Sequence, residues 1–243
     1  MAFLDTHPEG FTIADGGLDD LIAASTAFLF EATGTTSHET FSQKLIADRS
    51  AGGTLAAGTQ DRFTGSALFA ELVAGEALRR FAARLVECPP ERVLLAFPHL
   101  RIDLPSEFQA DEKRLNLPWH QEADYYLPKG DCSTKSLVIS TPLFDCARHD
   151  GALVAGAFSH AQGQETHAMV FMDPQNNRHK RVICTPPESE TVLETVRGQS
   201  QVISFLTKHK SGVNTGSFVR CTFLVRVSDR LDVAEATGLA ASA

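Results

Sequence analysis

The sequence is poor in concentrated positive charge. Lys and Arg number 22 against 30 Asp and Glu, for a net charge of −8. The one basic cluster, Arg178-His179-Lys180-Arg181, is short and reads as a solvated loop or strand start. A phosphate-binding surface needs clustered cations, so nucleic-acid binding is disfavoured. Long apolar runs are also missing. None approaches the roughly 20 residues that span a bilayer, so no membrane segment is expected. Met1-Ala2-Phe3-Leu4-Asp5 has neither a basic start nor an extended apolar stretch, and no signal peptide is read there. Five cysteines, Cys88, Cys132, Cys146, Cys184 and Cys221, include no close pair. Their odd number and wide spacing argue against a disulfide framework and a zinc knuckle. They read as reduced structural thiols in a cytoplasmic protein. The sequence shows no internal repeat.

What is present fits a single domain over residues 1–243, with 43% hydrophobic residues to fill one core. Residues 1–16 read as an arm. Leu18, Leu21, Ile22, Phe28 and Leu29 mark an amphipathic helix. Residues 31–65, rich in Gly, Ser and Thr, read as a connector or a lid, loosest at Ser50-Ala51-Gly52-Gly53-Thr54. One helix is expected over about 66–86, closed by Cys88-Pro89-Pro90. From about residue 92 to 228 the pattern turns to short alternating runs separated by turns, the mark of a sandwich or barrel. The expected class is mainly β with flanking helices, the helical part spanning about 18–88.

The chemistry concentrates in two stretches. In Leu115-Asn116-Leu117-Pro118-Trp119-His120-Gln121-Glu122, alternation predicts a strand, and residues two apart on a strand share a face. His120 and Glu122 then reach one point, with Gln121 turned away. An imidazole and a carboxylate there supply two of the three ligands of a facial triad for Fe(II). Asp124 is an alternative carboxylate if the strand ends in a bulge. The second stretch is His209-Lys210-Ser211-Gly212-Val213-Asn214-Thr215-Gly216-Ser217-Phe218-Val219-Arg220. Strand-like runs flank it, and its glycines and asparagine supply turns, so the pattern predicts a hairpin. That hairpin offers His209 as a third ligand and Arg220 as a fork suited to a carboxylate. Arg101 is a weaker candidate for contact with substrate or carboxylate, with a structural pair to Asp103 the competing reading.

Together these stretches resemble the phytanoyl-CoA dioxygenase-like branch of the Fe(II)/2-oxoglutarate-dependent oxygenases. Trp119-His120-Gln121-Glu122 and His209-x-Ser211-Gly212-x-Asn214, with Arg220 eleven residues beyond His209, carry the likeness. Asp150-Gly151-Ala152-Leu153 followed by Ser159-His160 resembles a further segment of that branch. The resemblance covers roughly residues 92–228. Glu122 stands where the family usually has Asp. The resemblance implies a double-stranded β-helix (jelly roll) and His120, Glu122 and His209 as Fe(II) ligands. It further implies that Arg220 and Ser211 hold the cosubstrate 2-oxoglutarate. The implied reaction is O₂-dependent oxidation, expected to be hydroxylation, of a small-molecule metabolite, with 2-oxoglutarate leaving as succinate and CO₂. Its alternative is a metal-binding, cupin-like protein without 2-oxoglutarate turnover.

Overall fold

A computed structural model describes residues 3–109, 117–171 and 180–238. The amino-terminal part is helical. A short helix α1 (Phe3–Thr6) precedes strand β1 (Phe11–Asp15), and α2 (Asp19–Thr33) follows. The described part of the expected arm, residues 3–16, is therefore built into the fold, because β1 pairs antiparallel with a strand near the far end of the chain. The Gly, Ser and Thr-rich stretch is not a loose connector. It folds as α3 (His38–Ser50) and α4 (Leu55–Thr64). Ser37 and Thr40 form a reciprocal capping box that starts α3. Phe41, Leu45 and Phe63 then anchor the two helices in the core with no exposed surface. The single helix expected over 66–86 is broken into α5 (Ala67–Ala74) and α6 (Glu76–Leu85). Gly75 between them is extended, at φ −63° and ψ 143°, and ends one helix as it begins the next.

Nine further strands follow among the described residues, β2 (Val93–Asp103), β3 (Leu137–Pro142), β4 (Val154–Gly156), β5 (Ala168–Phe171), β6 (Lys180–Ile183), β7 (Glu190–Val192), β8 (Gln199–Ser204), β9 (His209–Lys210) and β10 (Arg220–Asp229). A one-turn helix α7 (Glu122–Tyr126) lies between β2 and β3, and α8 (Arg230–Thr237) follows β10. The main sheet runs β1-β8-β3-β10-β2, every pair antiparallel, and a second sheet runs β7-β4-β9. β5 and β6 form a separate ribbon. Among the described residues no sheet closes into a barrel.

Strand alternation divides the main sheet into two chemically different faces. Cys221, Phe223, Val225 and Val227 of β10, with Leu100 and Ile102 of β2, join the core formed by Leu21, Ile22, Phe41, Phe63 and Phe81 of the helices. Arg220, Thr222, Leu224 and Arg226 point the other way, beside Arg101 and Asp103 of β2. Between Leu224 and Arg226 the β2–β10 register slips. Phe97 there takes φ 51°, and Pro98, which has no N–H to give to the ladder, suits such a bulge.

The expected His209–Arg220 hairpin does not form. β9 belongs to the second sheet and β10 to the main one, so residues 211–219 cross from one to the other. Close packing fixes that crossing. A Cβ on Gly212 would fall 2.2 Å from the Ala152 carbonyl oxygen, and Gly151 stands at φ 85° with Asn214 N only 3.0 Å from where its Cβ would be. The chain just beyond β10 is anchored. Asp229 caps α8 through Leu231 N and pairs with Arg92, and Val233 is buried.

Candidate metal and carboxylate site

His120, Glu122 and His209 come together at the edge of the second sheet. One ligand atom from each lies within 4.8 Å of the others, and all three residues are buried. Over residues 117–122 the expected strand does not run on. Leu115 and Asn116 lie outside the described residues. His120 makes a single antiparallel bridge with His209, with N–H···O distances of 3.0 and 2.9 Å in the two directions. Gln121 is extended, and Glu122 opens α7. A switch from strand to helix thus brings His120 and Glu122 to one side, where unbroken strand alternation was expected to do so.

The polar surroundings prepare the two imidazoles for the same task. His120 Nδ1 lies 2.7 Å from the Pro118 carbonyl oxygen and His209 Nδ1 lies 2.9 Å from that of Thr207. A ring N–H on each Nδ1 donates to its carbonyl and leaves Nε2 with a lone pair. Both Nε2 atoms face Glu122 Oε1, at 3.9 and 3.6 Å. Burial, then the neighbouring His209 ring, pushes the His120 imidazole below its ordinary value, toward the neutral ligand form. Burial alone would raise the Glu122 carboxyl. Arg226 and the two imidazoles outweigh it and hold Glu122 well below the usual carboxylate range. Two neutral nitrogens and one anionic oxygen converging on one point fit a divalent transition metal. Among the described residues this is the one such cluster of three donors.

Arg226 is the partner that sequence reading did not place. Its Nε donates to Glu122 Oε2 and its Nη2 to Oε1, both at 3.2 Å. Its guanidinium lies 4.4 Å from the Tyr126 ring centre, and Nη1 faces the Phe97 carbonyl at the bulge. Arg226 is 104 residues from Glu122 in sequence, and the bulge sets its position, so no local pattern signals it.

A small cavity lies on the same face of the main sheet, lined by Arg101, Asp103, Ser140, Gln201, Ser211 and Arg220 among others. Ser211 is tied to the metal motif: its N–H donates to the Leu117 carbonyl, and its hydroxyl accepts from Leu117 N. Arg220 Nε and Nη2 donate to Asp103 Oδ2, and Arg101 Nη2 donates to Asp103 Oδ1. Arg101 thus pairs with Asp103, the structural reading, and also lines the cavity.

No protein-family model and no curated protein matches the chain. Solved structures do. EvdO2 from Micromonospora carbonacea var. aurantiaca superposes with a TM-score of 0.60 at 15% identity, over 94% of this chain and 89% of that one. The non-heme alpha ketoglutarate dependent epimerase SnoN from nogalamycin biosynthesis gives 0.57 at 16%, over 94% and 81%. The non-heme monooxygenase ThoJ gives 0.56 at 18%, over 91% and 76%. The chain shares their fold. EvdO2 has also been solved with 2-oxoglutarate, and SnoN with Fe3+, alpha ketoglutarate and nogalamycin RO.

The remaining expected residues separate cleanly. Asp124 sits away from the triad, with its carboxylate 3.5 Å from His167 Nδ1. His160 lies against Gly10. Ser159, its neighbour, accepts from Lys208 N and so steadies the strand that carries His209. Gln121, turned away from the triad as expected, donates to the carbonyls of Gly163 and Leu206 and accepts from Glu165 N. Of the basic cluster, Arg178 and His179 lie outside the described residues. No helix among the described residues is long and apolar enough to cross a membrane.

Proposed function

We propose that the chain is a one-domain Fe(II)- and 2-oxoglutarate-dependent oxygenase of the phytanoyl-CoA dioxygenase-like kind, built on a double-stranded β-helix. The observation that carries this reading is the convergence of His120, Glu122 and His209 on one point, with both histidines presenting Nε2. These three residues would hold the metal on one face and leave the opposite positions open. Arg220 and Ser211, across a shared cavity with Arg101, would take the distal carboxylate of 2-oxoglutarate. Iron and 2-oxoglutarate held there would supply O₂-dependent oxidation, with 2-oxoglutarate leaving as succinate and CO₂. The chain's own residues bind, orient and exclude water. Glu122 supplies the anionic ligand that a chloride would need vacant, so hydroxylation or a related oxidation of a small molecule is the reaction expected, rather than halogenation.

One observation favours a second reading, a metal-binding protein of this fold without 2-oxoglutarate turnover. Asp103 already engages the Arg220 guanidinium. Metal titration tests the site that both readings share, and turnover decides between them. The wild-type chain is expected to bind one Fe(II), and His120→Ala or His209→Ala to abolish binding. Full metal stoichiometry in both variants would sink the assignment. Succinate release, measured with Fe(II), ascorbate and a panel of small-molecule substrates, tests turnover. Arg220→Ala is expected to raise KM for 2-oxoglutarate at least tenfold without weakening the metal, since a buried carboxylate stripped of its partner costs about 2–5 kcal/mol.

A further inference from the structure

The contact between Asp103 and Arg220 is one-sided. A guanidinium offers two forked edges, a lateral one made by Nε with one Nη and a terminal one made by the two Nη atoms. Arg220 gives its lateral edge to a single oxygen of Asp103, with Nε at 3.2 Å and Nη2 at 2.7 Å. Among the described residues its terminal edge meets no carboxylate. Gly151 lies beside that edge, and a Cβ there would come within 3.1 Å of Nη1. The absence of a side chain at Gly151 leaves the terminal edge uncrowded.

Asp103 is itself fixed. It faces Arg220 directly in the β2–β10 register, and Arg101, two residues earlier, shares its face. Its second oxygen accepts from Arg101 Nη2 at 2.8 Å. The side chains of Arg101, Asp103 and Arg220 are 20%, 4% and 11% exposed, and all three line the cavity that holds Ser211. Burial raises the Asp103 carboxyl, but the two arginines outweigh it and hold it below its usual range.

We propose that Asp103 is a positioning residue for the cosubstrate: it locks the Arg220 fork by its lateral edge, leaving the terminal edge for the distal carboxylate of a 2-oxo dicarboxylic acid. The inference rests on the reading of Arg220 as the 2-oxoglutarate clamp. Without Asp103 the long arginine side chain has other rotamers open to it, and fixing it again falls on the ligand's binding energy. The opposing view makes Asp103 a plug that competes with the ligand for Arg220.

Calorimetric titration of the anaerobic Fe(II)-loaded protein separates these views. The probes are 2-oxoglutarate and oxalate, a metal chelator that carries no distal carboxylate. Asp103→Asn is expected to raise the Kd for 2-oxoglutarate at least tenfold and to change that for oxalate by less than twofold. In turnover, KM for 2-oxoglutarate should rise while kcat at saturation stays within threefold of wild type. Unchanged or tighter 2-oxoglutarate binding in Asp103→Asn, alongside at least tenfold weaker binding in Arg220→Ala, overturns the positioning role and leaves the clamp standing. Equal loss of both probes also overturns it, since it marks a purely structural residue. Unaltered binding in Arg220→Ala overturns the clamp reading and the inference with it. Should Asp103→Asn fail to fold, Asp103→Glu replaces it. The charge is kept but the contact is moved by one methylene, and the same selective loss of 2-oxoglutarate binding is expected.

Discussion

Glu122 is one methylene longer than the aspartate usual at this position in the family that the sequence resembles, and Arg226 gives that length a use. The carboxylate must meet two imidazole nitrogens on one side and a guanidinium fork on the other. Arg226 ties Oε2 as well as Oε1, and Oε1 is the atom that faces both histidines. Two effects of Arg226 on metal affinity oppose each other. Its positive charge repels a dication, yet it holds the buried carboxyl ionised and oriented, so the metal need not displace a proton. Outer-sphere partners of metal ligands typically contribute 10–100-fold in affinity, so the second effect is expected to win. Arg226→Met should weaken Fe(II) binding about tenfold at neutral pH in an anaerobic titration. Tighter binding would show that repulsion dominates. The His120–Glu122 spacing was legible because it is local. Arg226 was not, because a strand bulge 104 residues from Glu122 sets its place; the Pro118 and Thr207 carbonyls lie only two residues before their histidines, but the way the rings turn onto them leaves no residue pattern.

The segment between the metal motifs and the β5–β6 ribbon is held by residues that flank the ligands. Gln121 binds Gly163 and Glu165, and Lys208, buried next to His209, pairs with Glu165 at 2.5 Å. Lys208 and the Thr185 hydroxyl and N–H lower the Glu165 carboxyl from 4.5 to about 2. A depressed carboxyl contributes stability that is full above its unfolded value and is lost as pH falls through its folded value. Glu165→Gln should therefore lie below wild type in Tm above pH 4.5, and the gap should close as pH falls toward 2. A gap that stays constant across that range in thermal melts would mean that the ionic part is negligible. At this scale the sequence was least readable. Helices α3 and α4 carry few large apolar residues, because each buries a narrow stripe through Phe41, Leu45 or Phe63, and their Gly, Ser and Thr content reads as loop. The His209–Arg220 run looked like a hairpin because turn residues signal a reversal, without telling whether the next strand joins the same sheet.

Across the whole molecule, β10 separates what holds the fold from what forms the site. One face of the strand sends Phe223 and Val225 into the helices, and the other presents Arg220, Thr222 and Arg226 to the cavity and the triad. The division into helical and β halves was plain in the hydrophobic pattern, because period-2 alternation along 219–227 is a local signal. Which face met helices was not, since both carry apolar residues. The arrangement makes stability and ligand binding separable by substitutions one or a few residues apart. Val225 is fully buried, and truncation to Ala removes two methyl groups and leaves a cavity, costing roughly 2 kcal/mol. For a chain of this size that corresponds to a fall in Tm of roughly 4–8 °C. KM for 2-oxoglutarate in Val225→Ala should stay within about twofold of wild type, because the lost contacts lie on the helix side. Thr222→Val keeps the shape and removes one hydroxyl from the cavity wall. It should move Tm by less than about 2 °C, as expected for a substitution that makes no core cavity, yet shift KM for 2-oxoglutarate several-fold. Parallel measurement of both quantities in both variants tests the division. If Val225→Ala disturbs KM as much as Thr222→Val does, the sheet transmits core strain to the site and its two faces are not independent.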